Sequence, residues 1–372
     1  MKINGKQFHT IWLKSKEPIA FQAIDQRKLP FEFEVFDIRR VEDAFFAIRQ
    51  MVVRGAPLIG VTAACGMLLA LRGFKRGDPH GYFLEKAAYL KSSRPTAVNL
   101  AFAIDEMLSL AREERDPQAL LQKGLEKVNA LKEKEIQFSE RIGGNGLPII
   151  ESIYREKKKT VNILTHCNAG WLACIDWGTA TAPVYMAHHK GIPVHVWVDE
   201  TRPRNQGGRL TAYELGQEGV PHTVIADNTG GHLMQHGLVD LVIVGSDRTT
   251  INGDVANKIG TYLKALAARD NQIPFFVALP TSSIDWAISD GLSEIPVEER
   301  APEEVAETEG WTGSEIQRVR LIPPESPAVN YGFDVTPARL VTGLITERGI
   351  CQANKKSILE LFPEKNMKIQ KK

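Results

Sequence analysis

Apolar positions along this chain change their spacing near residue 160. Before that point Val41, Phe45, Ile48 and Val52 recur at helical intervals and predict a helix over 41–53. Residues 57–140 read as mostly helical, and the charged stretch Glu126 to Glu140 reads as a solvent-facing helix. Their main break is Ser92-Ser-Arg-Pro-Thr96, where Thr96 stands as the N-cap of a helix running to about Arg112. Ahead of the helices, β-prone pieces such as Phe8–Trp12 and Phe31–Phe36, punctuated by Pro18 and Pro30, predict a small antiparallel sheet. After residue 160 short apolar runs take over, at 161–165, 193–198, 222–226, 240–244 and 273–279. Helical segments separate them, at about 171–190, 209–218, 229–236 and 255–269. Strands alternating with helices imply a parallel, doubly wound sheet with right-handed crossovers. The fold class is therefore α/β. Gly143-Gly-Asn-Gly146 marks the change of pattern and sets domains at 1–145 and 146–372. Residues 290–330, rich in Glu and Pro, read as an excursion, and 334–348 as a strand tip followed by a helix opening at Thr336-Pro337.

The C-terminal ends of the five predicted strands share a character. They read Thr165-His-Cys-Asn-Ala-Gly170, Asp199 to Arg209, Asp227-Asn-Thr-Gly-Gly231, Gly245-Ser-Asp-Arg248 and Thr281-Ser-Ser283. In a doubly wound sheet these ends lie side by side, where ligands bind, so five polar, small-residue ends in a row predict one shared rim. Asp247, beyond the fourth strand, is a candidate general acid if desolvation keeps its carboxyl protonated; an ion pair with Arg248 is the competing reading. Cys167 is expected where a strand hands over to a helix, a setting that can lower a thiol pKa; a buried, inert thiol is the competing reading. Cys174, expected inside that helix, suits an inert core thiol. His166 is read equally as an acid/base or as a structural imidazole bonded to backbone. Gln206, in a Gly-rich loop, offers neutral groups suited to sugar hydroxyls. Asn257 and Lys258 are expected at the start of the 255–269 helix.

A second polar cluster lies earlier. Arg54-Gly55-Ala56-Pro57 ends one helix and opens another, with Pro57 at the first helical position. Backbone N–H groups of Gly55 and Ala56 beside a guanidinium make an anion cradle; an ordinary interhelical turn is the competing reading. Arg94 is another cation in an interhelical turn.

Composition narrows the partners. A net charge of +1 gives no electrostatic case for nucleic acid or a membrane surface. Lys157-Lys-Lys159 reads as a solvated loop. The longest apolar stretch, Ala63 to Leu71, is broken by Gly66 and falls short of the ~20 residues of a membrane span. Met1-Lys-Ile-Asn-Gly lacks the apolar core of a signal peptide. The four cysteines form no CxxC pair and no zinc spacing, so the expectation is a reduced, cytoplasmic protein with no metal. There is no GxGxxG, and Gly207-Gly208 and Gly230-Gly231 are too short for P-loops, so no cofactor is expected. The tail from Lys365 is polar and basic and is expected to fray.

Four ordered motifs carry a family resemblance: Arg54-Gly-Ala-Pro-Leu-Ile-Gly60, Leu164-Thr-His-Cys-Asn-Ala-Gly170, Asp199-Glu-Thr-Arg-Pro-Arg204 with Gln206-Gly207, and Gly253-Asp-Val-Ala-Asn-Lys-Ile-Gly-Thr-Tyr262. Over about residues 5–365 the sequence resembles the methylthioribose-1-phosphate isomerase family, whose superfamily includes regulatory subunits of initiation factor 2B and ribose-1,5-bisphosphate isomerases. The resemblance implies an N-terminal, mainly helical domain with a small antiparallel sheet, a C-terminal Rossmann-like domain, and a homodimer. It implies conversion of a small-molecule sugar phosphate, 5-methylthio-α-D-ribose 1-phosphate, to the ribulose 1-phosphate in methionine salvage. By motif position Asp247 is the proton donor and Cys167 assists hydrogen movement between C2 and C1. Substrate binding carries over onto Arg54, Gly55, Ala56, Arg94, Gln206, Asn257 and Lys258. Trp171-Leu-Ala-Cys-Ile-Asp-Trp177 is bulkier than the family pattern, and Asn205 and Ser246 also depart from it. These departures bear on the pocket for the sugar's 5-substituent rather than on the catalytic groups.

Overall fold

The computed structural model describes residues 1–74, 78–94, 97–114 and 116–365. The Thr96 cap and the tail beyond Lys365 lie outside them. The described chain divides into two compact units, one of residues 1–140 with 170–178, the other of 141–169 with 179–372.

In the first unit β1 (Lys2–Ile3) pairs with β2 (Lys6–Gln7), and β3 (Ile11–Lys16), β4 (Ile19–Ile24) and β5 (Val35–Ile38) form an antiparallel sheet in that order. The predicted sheet is present, but its strands start later than the pieces named, and its central strand, β4, was not foreseen. Helices α1 (Val41–Arg49), α2 (Ala56–Gly73), α3 (Pro79–Lys91), α4 (Val98–Glu113) and α5 (Pro117–Lys157) follow, α5 belonging to the first unit up to residue 140 and to the second from 141. Helix α2 is the core. It is apolar on nearly every side because α1, α3, α4 and β4 surround it. By length and composition it could cross a bilayer, and it runs well beyond Ala63–Leu71, but its residues are buried inside the unit. Gly66 allows this packing: a Cβ there would lie 2.8 Å from that of Ala44. Pro57 takes the second helical position, after Ala56.

Helix α5 passes straight through Gly143-Gly-Asn-Gly146, the stretch at which the domain boundary was expected. Two of these glycines serve packing against α6 (Ala182–His189): a Cβ on Gly143 would lie 2.8 Å from Met186 Cε, and one on Gly146 2.5 Å from Pro183 Cγ.

In the second unit β6 (Val161–Thr165), β7 (Val194–Asp199), β8 (His222–Ile225) and β9 (Leu241–Val244) are strands of the main sheet, with α7 (Ala212–Gln217) and α8 (Thr229–Gln235) among the connections. A hairpin of β10 (Arg248–Thr250) and β11 (Val255–Lys258) precedes α9 (Thr261–Asp270) and β12 (Phe275–Ala278). Next come β13 (Ile284–Asp285) and then, within the excursion, α10 (Gly291–Glu294), α11 (Glu303–Ala306) and the exposed hairpin of β14 (Glu307–Trp311) and β15 (Ile316–Arg320). The chain returns as β16 (Phe333–Thr336), β17 (Gly343–Thr346), β18 (Gly349–Cys351) and α12 (Lys355–Leu361).

The main sheet has the order β18-β17-β12-β9-β6-β7-β8, all parallel except the edge strand β18. In chain order the parallel strands read 3-2-1-4-5-6, so the winding reverses between β6 and β9. This is the doubly wound sheet expected, with a sixth parallel strand added. A second sheet, β13-β10-β11-β16, stands beyond the end of β9.

Three helix predictions fail here. The segment 171–190 is helical only from Ala182; residues 166–181 form a loop with a short 3-10 turn at Trp171–Ala173. Positive φ angles at Trp177 and Gly178 are incompatible with a continuous helix. The segment 255–269 is helical only from Thr261, because Gly260 at φ 102° breaks it and Val255–Lys258 pair with β16. Asn257 and Lys258 are therefore strand residues. The helix expected after Thr336 is instead the fully buried strand β17, since Gly343-Leu-Ile-Thr346 fits beside β12.

The glycines of α5 supply a test. Gly144 has open space around it, so Gly144→Ala should stabilise the chain by about 0.5–1 kcal/mol through helix propensity. Gly146→Val, driven into Pro183, should cost about 1–3 kcal/mol. Urea unfolding of both variants checks the opposite signs.

Candidate active site

The reversal between β6 and β9 opens a crevice at their carboxyl ends, because the connections on either side leave for opposite faces. Cys167 follows β6 by two residues and Asp247 follows β9 by three. The two loops touch. A Cβ on Gly245 would lie 2.5 Å from that of Ala169, so only glycine fits two residues before Asp247. The approach brings together loops separated by about eighty residues of sequence, a contact that no local pattern could reveal.

Cys167 adopts φ 67°, which costs a non-glycine residue about 1–3 kcal/mol. Its backbone is held on both sides. The N–H donates to Thr201 Oγ1 at 2.8 Å, and the carbonyl accepts from Thr211 Oγ1 at 2.7 Å. Two such bonds contribute about 0.5–1.5 kcal/mol each and offset the strain. Asn168 ties the loop further to Thr211 and to the buried Glu214. Cys167 thus stands in a strained turn rather than at the start of a helix. Cys174 lies buried at the end of the 3-10 turn. No disulfide forms among the four cysteines.

Asp247 is half-buried. Its N–H bonds Ala256 O at 3.0 Å, which sets it beside β11. Its carboxylate makes no ion pair or hydrogen bond among the described residues. The competing partner, Arg248, is committed to Asp285. On β11, Asn257 and Lys258 are both buried. Asn257 donates to Thr261 Oγ1 at 3.0 Å, and Lys258 donates to Gly332 O at 2.8 Å with its ammonium over the Phe333 ring. Asp334 on β16 accepts from the N–H groups of Gly260 and Tyr262 and so caps α9; burial pushes its pKa up, opposed by these bonds.

The loop after β7 is drawn close. A Cβ on Gly207 would lie 1.7 Å from Asp199 O. Gln206 is buried, and its Oε1 has no hydrogen-bond partner, an acceptor left for a ligand's donor. The excursion fastens this loop from outside. Arg202 donates to Val305 O at 2.8 Å, Arg204 pairs with Glu304 at 2.8 Å, and Arg209 pairs with Glu309 at 3.0 Å. Burial would raise the Glu304 pKa, but Arg300 and Arg204 outweigh it and hold the carboxyl down at about 2. These arginine anchors were not foreseen: each needs a partner about a hundred residues away.

His166, weighed as an acid/base, is fully engaged: Nδ1 lies 2.8 Å from Asp199 Oδ2 and Nε2 lies 2.8 Å from Ile259 O.

In the first unit, Gly55 caps α2 at φ 91° and packs against the 3-10 turn; a Cβ there would lie 2.3 Å from Ala173 O. Arg54 beside it is buried. Arg94 stands on the turn leading into α4, and Gly60 of α2 lies against the first turn of α4 at Asn99. The N-terminal ends of α2 and α4 are therefore neighbours.

The sequence pattern of the Initiation factor 2 subunit family matches residues 52–353. The chain is 54% identical over 367 residues to the methylthioribose-1-phosphate isomerase of Desulfatibacillum aliphaticivorans, covering 98% of this chain and 100% of that protein. It is 56% identical over 369 residues to that of Methylocella silvestris, covering 98% and 99%. The chain belongs to the methylthioribose-1-phosphate isomerase family. The crystal structure of 5-methylthioribose 1-phosphate isomerase from Pyrococcus horikoshii OT3 is similar at TM-score 0.82 and 39% identity, covering 96% of each chain. That of translation initiation factor eIF-2B subunit delta from A. fulgidus is similar at TM-score 0.79 and 34% identity, covering 96% of this chain and 100% of that one. The isomerase family and the initiation-factor subunits thus share one architecture, as the motifs implied.

The Gly245–Ala169 contact yields a prediction. Gly245→Ala must push the two loops apart, and misplacement of about 1 Å costs about 10²-fold in rate. The variant is expected to fold, by circular dichroism, and to lose about that factor in kcat.

Proposed function

We propose that this chain is the aldose–ketose isomerase that converts 5-methylthio-α-D-ribose 1-phosphate to 5-methylthio-D-ribulose 1-phosphate in methionine salvage. The observation that supports it most is the meeting of the Cys167 and Asp247 loops where the sheet reverses, in a chain more than half identical to full-length relatives named for this reaction.

The chemistry explains the residues. Phosphate on C1 prevents the ring from opening to a free aldehyde. The C1–ring oxygen bond must break with its electron pair leaving on oxygen, and the oxygen must take a proton. Asp247 is assigned as the donor, acting as a general acid. C1 is left electron-poor, a hydrogen moves from C2 to C1, and the C2 hydroxyl becomes the carbonyl as it gives up its proton. Cys167 is assigned to assist that movement. In the second unit Gln206, Asn257 and Lys258 are assigned to substrate, Gln206 through its unpartnered carbonyl oxygen. In the first unit Arg54 with the Gly55 and Ala56 N–H groups, and Arg94, are assigned as anion-binding groups, in keeping with the N-terminus of α2.

A homodimer is part of the proposal. Trp311, Val319, Leu321 and Val329 stand exposed along the excursion, with Tyr331 just after it, and offer apolar surface to a partner copy. A binding subunit of the initiation-factor type is the weaker reading, since both Cys167 and Asp247 stand in intact motifs and the isomerase relatives are the more similar in sequence.

The test is turnover of the 5-methylthio sugar phosphate by purified protein. Cys167→Ser and Asp247→Asn should each lower kcat by about 10²–10⁴-fold with the fold intact. Full activity in both variants removes the assigned mechanism, and no turnover by the unmodified chain removes the function.

A further inference from the structure

His166, Asp199 and Lys264 form a buried polar group that the proposed chemistry does not use. The imidazole, the carboxylate and the ammonium are each almost wholly enclosed. His166 Nε2 lies 2.8 Å from Ile259 O, which only accepts, so Nε2 carries a hydrogen. Nδ1 lies 2.8 Å from Asp199 Oδ2, and the same oxygen lies 3.2 Å from Lys264 Nζ. Lys264 also donates to Asp227 O. Asp199 Oδ1 has no partner, so the carboxyl group is held through one oxygen, against His166 Nδ1 and Lys264 Nζ. His166, Asp199 and Asp227 could be read as metal ligands, their nearest ligand atoms all within 4.8 Å of one another. The Lys264 ammonium already stands against Asp199, and a cation there would have to displace it.

The positions of these residues in the chain give the group its meaning. His166 immediately precedes Cys167. Asp199 ends β7 and opens the loop that carries Gln206. Ile259 immediately follows Lys258. One ring therefore joins three segments, each bearing a group assigned to the reaction. The ring abuts the backbone at Gly260: a Cβ there would lie 3.0 Å from both His166 Cε1 and Nε2.

We propose that His166 is a positioning residue, an imidazole strut fixed by Asp199 and Ile259 O that sets Cys167 against the Asn257–Lys258 strand. This rests on the isomerase reading. Because both ring nitrogens are committed, His166 takes no proton from the substrate.

Steady-state kinetics of the full chain, run beside the unmodified protein, test the strut with His166→Gln, Asp199→Asn and the double variant. Glutamine reaches one of the two anchors but cannot span both. Each single variant is expected to lose about 10²-fold in kcat with a smaller change in KM, to unfold at a temperature near that of the unmodified chain, and to keep both limbs of the pH–rate profile. The double variant should be no slower than the slower single one, since both break the same strut. If His166→Gln does not fold, Lys264→Met, which releases the far end, should lower kcat about tenfold with the same pH limbs. Kinetics within threefold of the unmodified chain in folded His166→Gln or Lys264→Met, losses that multiply in the double variant, or a missing pH limb would overturn the proposal. Absence of turnover by the unmodified chain would instead strike the isomerase reading.

Discussion

The proposed site depends on one close approach, that of Gly245 to Ala169. A parallel sheet that reverses its winding between β6 and β9 must leave a crevice between the loops that follow them. This chain brings two loops together there, one carrying Cys167 and the other Asp247, the residues proposed to act. Any residue larger than glycine at position 245 would part them.

The surrounding structure serves to hold those loops still. Cys167 sits in a left-handed conformation that its own residue type does not favour, and the bonds from Thr201 and Thr211 roughly balance that cost. The Asp199 loop is in turn gripped by three arginines reaching to the excursion. The excursion thus has a physical role that its Glu- and Pro-rich composition does not suggest. Glu304 illustrates how firmly it is set: a largely buried carboxylate kept ionised by two guanidinium groups.

Much of this was legible in the sequence, for identifiable reasons. Buried parallel strands read as apolar runs, so β6, β7, β9 and β12 were recognisable; the edge strand β8 was read from its β-branched residues although it is not buried, and the polar residues after all five pointed to one rim. What failed depended on long-range pairing. Val255–Lys258 runs into a helical pattern, yet antiparallel pairing with β16 makes it a strand, and the helix starts only after Gly260. Gly343–Thr346 was hidden behind the helix signal of Thr336-Pro337. The packing of Gly143 and Gly146 against Met186 and Pro183 is likewise invisible in one dimension. The roles of Cys167 and Asp247 came from motif resemblance; local pattern alone reached only an anionic small molecule at a strand-end rim. His166 could not be assigned until both of its nitrogens were seen to be bonded.

The most direct measurement is a crystal structure of Cys167→Ser with 5-methylthio-α-D-ribose 1-phosphate bound. The account predicts the sugar ring beyond the carboxyl ends of β6 and β9, with the Asp247 carboxyl within hydrogen-bond distance of the ring oxygen and shielded from bulk water. A sugar bound elsewhere on the chain, or an Asp247 carboxyl open to solvent with the ring oxygen facing away, would contradict it.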